Sequence, residues 1–218
     1  MVYWTHDERL SPTICTNRGE LGAVVITTRN IVWVLVLGAA WGVAEIIGID
    51  LLTHFGVGGA SIWLAAWAVL LLSIGRGVWN KIGSSALIGL IATAFKFLGP
   101  STTYCHLLGI VSLGLIFDLF ASTVLRSGRS QWWRHALVGL LTAFGARAFF
   151  VLYSVHIAHF ERWVEGGTQM ALDHVLRGGS VVALAALLLA PLGFRIGGKA
   201  ATTLSGNPAE DPLAAGNR

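Results

Sequence analysis

Six stretches of apolar residues, separated by short polar segments, occupy the middle of the chain. Each is close to or above the ~17 residues that a transmembrane helix requires, and Gly or Pro marks several of the turns between them. The pattern predicts membrane-spanning helices over Asn30–Leu52, Ala60–Gly75, Gly83–Leu98, Tyr104–Leu125, His135–Ile157 and Gly178–Phe194. It divides the chain into a polar N-terminal segment (1–29), a six-helix transmembrane domain (30–196) and a flexible C-terminal tail (197–218).

The composition favours the same interpretation. The 218-residue chain is 55% hydrophobic and only 12% charged, whereas an ordinary soluble domain carries roughly 25% charged residues. We therefore expect an all-α, polytopic membrane protein. Residues 1–29 mix acidic and basic side chains and do not predict a cleaved signal peptide. Cys15 and Cys105 are expected near opposite faces of the membrane, too far apart for a disulfide.

Lysine and arginine residues are distributed unequally between the predicted connections. Short cytoplasmic segments of membrane proteins carry an excess of these residues. With six spans, Arg162 and Arg177 lie on one side, and Lys96 and Arg147 lie within helices. The other eleven share the side of both termini: Arg9, Arg18, Arg29, Arg76, Lys81, Arg126, Arg129, Arg134, Arg195, Lys199 and Arg218. This asymmetry predicts that both termini are cytoplasmic, and it supports the count of six spans.

Ionisable side chains within the predicted helices are concentrated in the outer half of the membrane. This placement follows from the ~1.5 Å rise per helical residue; Asp118 is the exception, nearer the inner face. A charge in the bilayer costs about 2.5–3.5 kcal/mol on the insertion scale unless it is paired or lines a cavity. We therefore predict an outward-facing polar pocket for a small molecule, with these candidate binding residues: Glu45, Asp50, Lys96, Tyr104, His106, Arg147 and His156.

Two other interpretations of these charges stay open. Glu45, Lys96 and Arg147 would form a buried ion-pair network whose role is only to fix the register of the helices. Alternatively, Lys96 lies so near the end of its helix that its amine would extend to the membrane interface.

Five of the seven histidines are predicted at the outer side, and they raise the possibility of a metal or haem site. His156 and His159 share a helical face if the helix continues, and His106 begins the fourth helix. Imidazole suits divalent metals and haem iron. The competing interpretation, which we favour, is that these side chains lie independently at the interface, because no tight metal-binding spacing such as HExxH is present.

The first and third helices carry motifs that resemble a known family. The segment from Gly38 to Glu45 reads GAAWGVAE, and the segment from Gly83 to Pro100 places Lys96 just before a Gly-Pro turn. Both are similar to the substrate-binding (S) components of energy-coupling factor transporters, and more narrowly to an uncharacterised subgroup with GxxWGxxE in the first helix. The resemblance covers about residues 30–125. The polar N-terminal segment and the outer histidines depart from the family.

The resemblance implies a function as well as a fold. Such components have six helices with both termini in the cytoplasm of a prokaryote, and they bind a vitamin, a precursor or a metal ion near the outer face of the inner membrane. Ala40 and Ala44, or Gly38 and Gly42, would then contact a transmembrane coupling subunit that sits on two ATPases. Glu45, Lys96 and residues near Tyr104 and His106 would line or support the pocket.

The expected function is therefore substrate binding for an importer, without enzymatic activity and without a cofactor. The chain has no GxSxG and no Walker A motif, which leaves hydrolytic chemistry and ATP binding without a signal. Two alternatives from other classes remain. One is a structural or accessory subunit of a larger membrane complex, and the other is a membrane protein that binds a metal or haem through its outer histidines.

Overall fold

The computed structural model describes residues 28–99, 104–126 and 131–205, and within them every regular element is helical. In chain order these are α1 (Thr28–His54), α2 (Ala60–Val78), α3 (Ser84–Phe97), α4 (Tyr104–Val124), α5 (Trp132–His156), α6 (Glu161–Glu165), α7 (Gly167–Asp173), a π-helical turn (His174–Gly178) and α8 (Gly179–Ser205). The six predicted helices correspond to α1–α5 and α8, and each begins within three residues of its predicted start.

Glycines in the left-handed region of backbone conformation separate the first three helices. Gly56 (φ +68°) and Gly59 (φ +71°) lie between α1 and α2, and Gly83 (φ +91°) directly precedes α3. Only glycine adopts these angles without steric cost. The chain therefore reverses direction over a few residues at the places where the sequence predicted turns.

The helices α1–α5 and α8 form a closed ring. α1 packs against α2 and α3, α3 against α4, α4 against α5, α5 against α8, and α8 returns to α2. α2 also contacts α3 and α4. In the most apolar 18-residue stretch of α2, 50% is buried inside the protein, whereas the corresponding share in the other long helices is 28–39%. The core of the bundle therefore forms around α2, with Trp41, Leu72 and Phe117 fully buried in it.

Glycines of α1 bring this helix close to α3. A methyl group on Gly38 would lie 2.6 Å from the side chain of Ile91, and one on Gly42 would lie 2.9 Å from the main-chain oxygen of Ala92. Small residues permit such contact between membrane helices. The sequence offered Gly38 and Gly42 as contacts to a partner protein; in the structure both are buried against α3 of the same chain.

The last helix extends into the segment that the sequence assigned to the flexible tail. α8 continues to Ser205, and its middle part packs closely against α2 through glycines. A methyl group on Gly193 would lie 2.7 Å from the oxygen of Leu70, and one on Gly77 would lie 3.0 Å from the Cα of Gly197. The predicted N-terminal segment up to residue 27, the Pro100 turn and the tail beyond Ser205 lie outside the described residues.

In the part of the chain that the structure describes, five helices are long and apolar enough to cross a membrane: α1, α2, α4, α5 and the continuous helical stretch Gly167–Thr203 that contains α8. The third predicted span, α3, is an apolar helix of 14 residues, which at ~1.5 Å per residue is about 21 Å long and shorter than the ~30 Å hydrocarbon core of a bilayer. The chain is thus an all-α, multi-pass membrane protein, as the sequence predicted at this coarser level.

Candidate functional site

A large cavity of about 1010 Å³ occupies one end of the helical ring. It lies where α1 ends and where α2, α4 and α8 begin, which is the end that the sequence predicted to face outward. Its wall comes from these helices, from α5 and from the α5–α8 connector (residues 157–178); no described residue of α3 reaches it. Ligand pockets in proteins span ~300–1,000 Å³, so the cavity has room for a complete small molecule.

Glu45 presents a carboxylate to this cavity from α1. The indole nitrogen Nε1 of Trp41 donates a hydrogen bond to Oε1 of Glu45 at 3.2 Å. Residues four apart lie on the same helical face, so both side chains line the cavity. Trp41 is fully buried, which holds the indole in place and so positions the carboxylate.

Lys96 is buried beside α1 rather than in the cavity wall. Its Nζ donates to the main-chain oxygen of Glu45 at 2.7 Å, and the residue is only 2% exposed. The amine therefore neither lines the cavity nor extends to the membrane interface, because it ends on a carbonyl of the neighbouring helix. Glu45, Lys96 and Arg147, all within the described ranges, are joined by no ion pair. The ion-pair network that the sequence predicted between these three residues is therefore not formed.

Arg147 of α5 lines another part of the wall, next to the connector. Its Nη1 lies 3.3 Å from Nε2 of His174. A guanidinium can only donate, so the imidazole nitrogen accepts. Two further rings surround this pair: Phe150 and Trp163 have centroids 5.5 Å apart, and Trp163 lies 4.9 Å from the ring of His174. This part of the wall therefore combines one cation with aromatic faces.

The structure separates the predicted binding residues into two groups. Glu45, His106 and Arg147 line the cavity. Asp50, Lys96, Tyr104 and His156 are not among its lining residues; apart from buried Lys96, these side chains are exposed. The sequence predicted the position of each residue along its helix; in the structure Tyr104 and His156 lie at the very ends of α4 and α5, and Lys96 is buried against α1.

The metal candidates are also separated. Of His106, His156 and His159, only His106 lines the cavity. Within residues 28–99, 104–126 and 131–205, no three or more His, Cys, Asp or Glu side chains are placed to hold a metal ion.

The sequence predicted a polar connector after α5 and placed two of its histidines, His159 and His174, at the outer side. The structure adds several of its residues to the cavity wall: Phe160, Glu161, Trp163, Met170, Asp173 and His174. The mixture of aromatic and ionisable residues in such a long connection was the available signal. Its helices, α6 and α7, have only five and seven residues, too short for a clear periodic pattern.

A second polar cluster, which the sequence did not predict, joins helices at the opposite end of the ring. Arg76 of α2 pairs with Asp118 of α4 at 3.1 Å, with side chains only 4% and 10% exposed. The other carboxylate oxygen accepts the main-chain N–H of Gly83, just before α3, at 2.6 Å. Arg76 also donates to Ser122 at 3.1 Å and to the oxygen of Lys81. The sequence placed Asp118 near the inner face but placed Arg76 in a connector, so their pairing was missed.

Comparison with known proteins adds no relative. No protein-family model, curated protein or solved structure matches the chain. The function therefore has to be argued from the cavity and from the residues that line it.

Proposed function

We propose that the chain crosses the inner membrane of a prokaryote six times, with both termini in the cytoplasm. The distribution of basic residues supports this orientation, with eleven on the side of the termini and two on the other. α3 would be the sixth span: it is apolar and packs between α1 and α4 in the ring. In this orientation the cavity faces outward and the Arg76–Asp118 pair faces the cytoplasm.

In this membrane the protein serves as the substrate-binding subunit of an importer, without catalytic activity. The observation that carries this proposal is the cavity itself. Separate elements direct Glu45, His106 and Arg147 into one space of about 1010 Å³, together with aromatic rings, of which Trp41 is fully buried. A well-formed pocket with a few convergent polar groups is the usual architecture of a small-molecule site. The resemblance of α1 to the substrate-binding components of energy-coupling factor transporters points to the same role.

A coupling subunit would dock on the outer face of α1. Ala40 is exposed and Ala44 is half-buried, whereas Gly38 and Gly42 are covered by α3. A row of small residues on an exposed face allows a partner helix to approach closely. The partner interface is therefore assigned to Ala40 and Ala44 alone.

Purification from the native membrane tests this function. The co-purifying proteins are identified by mass spectrometry, and extracted organic molecules, metals and haem are measured in the same samples. We expect a membrane coupling subunit, two ATPases and one organic ligand. Glu45→Gln should lose the ligand, whereas Asp50→Asn makes the same chemical change at an exposed site on the same helix and should retain it.

Two outcomes would reject the importer. A stable set of partners without ATPases, and no ligand, would indicate an accessory subunit. A metal or haem that stays bound until His106 is replaced would indicate a metal- or haem-binding membrane protein.

A further inference from the structure

Arg147 contributes a positive charge to the cavity wall. It lies within α5, and among the described residues no carboxylate forms an ion pair with it; its polar contact is the imidazole of His174 at 3.3 Å. Arginine stays protonated in proteins. A cation inside a membrane bundle favours a counter-charge or water, and here the space beside it is a cavity large enough for a ligand.

None of the three acidic residues that line the cavity within the described ranges forms an ion pair with Arg147. Asp173 pairs with Arg177 at 3.4 Å. Glu45 accepts its hydrogen bond from Trp41 on α1, a helix that is not a neighbour of α5 in the ring. Glu161 begins α6 and is exposed. An anionic group of a ligand would therefore complete the Arg147 site.

Aromatic rings adjoin the same guanidinium. The imidazole that contacts Arg147 packs against Trp163 and Phe150, with ring centroids 4.9 and 5.9 Å away. Aromatic faces and edges favour the stacking of another planar ring, and a guanidinium binds the planar carboxylate or the phosphate group through two parallel hydrogen bonds. The two features are adjacent, so one molecule can use both.

The backbone beside Arg147 is shaped to admit its side chain. Gly178 ends the π-helical turn, and a methyl group there would lie 2.7 Å from Nη1 of Arg147. Irregular π-helical turns occur frequently at functional sites. Because Gly178 has no side chain, the guanidinium of Arg147 can occupy the space beside it.

We propose that the cavity binds a small organic acid, in which a carboxylate or phosphate group pairs with Arg147 and a planar ring packs against Trp163 and Phe150. This assignment rests on the proposed role in substrate binding and names the class of substrate. Glu45, on the far wall, is then available to an N–H or amino group at the other end of the same molecule.

The test compares 2-naphthoate with its uncharged amide, 2-naphthamide, by equilibrium dialysis against the full chain in nanodiscs of zwitterionic lipid. The two probes share their ring and differ in charge. We expect the wild-type protein to bind the carboxylate about tenfold or more tightly than the amide, since hydrogen bonds to a charged partner contribute about that factor. Arg147→Gln should abolish the preference, and Arg195→Gln, an exposed position on α8, should not.

A second pair of variants keeps the positive charge of Arg147, and one variant of the pair shifts its position. Gly178→Ala requires only the flexible end of Arg147 to shift, so it should fold and yet reduce the preference severalfold. Gly198→Ala, where a methyl group meets nothing within 4 Å, is its control and should behave as wild type. Should Arg147→Gln fail to fold, the comparison between these two glycine variants decides.

Three results would overturn the assignment: no saturable binding of naphthoate to the wild type, equal binding of both probes, or a preference that survives in Arg147→Gln and Gly178→Ala. Extraction of a phospholipid that is lost in Arg147→Gln would also overturn it, in favour of a lipid headgroup. The importer role is tested separately, by whether ATPases co-purify with the protein. If ATPases co-purify but the protein does not prefer naphthoate over the amide, only the organic-acid assignment is rejected. If the protein prefers naphthoate but no ATPases co-purify, only the importer role is rejected.

Discussion

Replacing Asp118 with asparagine should destabilise the protein more than any comparable change at its surface. The carboxylate accepts from Arg76 at 3.1 Å and from the N–H of Gly83 at 2.6 Å. Asparagine has one acceptor oxygen and one amino group, so in either orientation its amino group faces one of these two donors. Arg76 also loses its counter-charge, although it retains Ser122 and the oxygen of Lys81.

The size of the effect follows from burial. The side chains of Arg76 and Asp118 are 4% and 10% exposed, so the range for surface ion pairs, about 0–1 kcal/mol, does not apply. Breaking one partner of a buried pair costs about 3–5 kcal/mol because the other charge stays buried without compensation. We expect the free energy of unfolding of Asp118→Asn to fall by that amount.

The assay is titration with sodium dodecyl sulfate in mild detergent, followed by far-ultraviolet circular dichroism. Asp50→Asn, an exposed position on α1, is the control and should change the free energy by less than about 0.5 kcal/mol. Arg76→Met combined with Asp118→Leu removes both charges and should recover part of the loss, because only the N–H of Gly83 then stays without its acceptor. The reasoning would be refuted by a loss below about 1 kcal/mol in Asp118→Asn, or by a double variant as unstable as the single one.

Three further predictions concern packing and orientation. Gly42→Ala places a methyl group against Phe95 and the oxygen of Ala92 and should cost about 1–3 kcal/mol in the same titration, whereas Gly109→Ala, with nothing within 4 Å, should stay near wild type. Gly197→Leu should separate α8 from α2 and lower the thermal midpoint; an unchanged midpoint would contradict the close contact. The orientation can be tested with two variants that each keep a single cysteine, either Cys105 or Arg126→Cys. A membrane-impermeant maleimide should label Cys105 in intact cells but should label Arg126→Cys only after permeabilisation. The reverse pattern would invert the proposed orientation.

The sequence predicted the positions of the helices well because the signal for them is local. Apolar runs end at glycines and polar residues, and this places the starts of α1 and α4 within two residues of those observed. The relative level of residues on neighbouring helices was also predictable: Lys96 reaches the level of Glu45, where its amine meets a main-chain oxygen. Both results depend only on counting residues along a helix.

The rotation of each helix about its axis could not be predicted in the same way. A membrane helix is apolar on the face that meets lipid and on the face that meets protein, so it lacks the contrast that orients a soluble helix. The sequence therefore could not tell that Gly38 and Gly42 pack on α3 while Ala40 is exposed. Nor could it tell that Asp50 points away from the cavity that Glu45 lines.

The two ends of the ring differ in how firmly they are held. At one end the Arg76–Asp118 pair links α2 and α4 directly, and α3 through the N–H of Gly83. At the other end the proposed anion site is shared between α5, which carries Arg147, and the connector, which carries Trp163 and His174. Helices as short as those of the connector are marginal by themselves. An acid bound between Arg147 and these rings would tie the connector to α5, so ligand binding should order the cavity end of the ring and leave the ion-paired end unchanged.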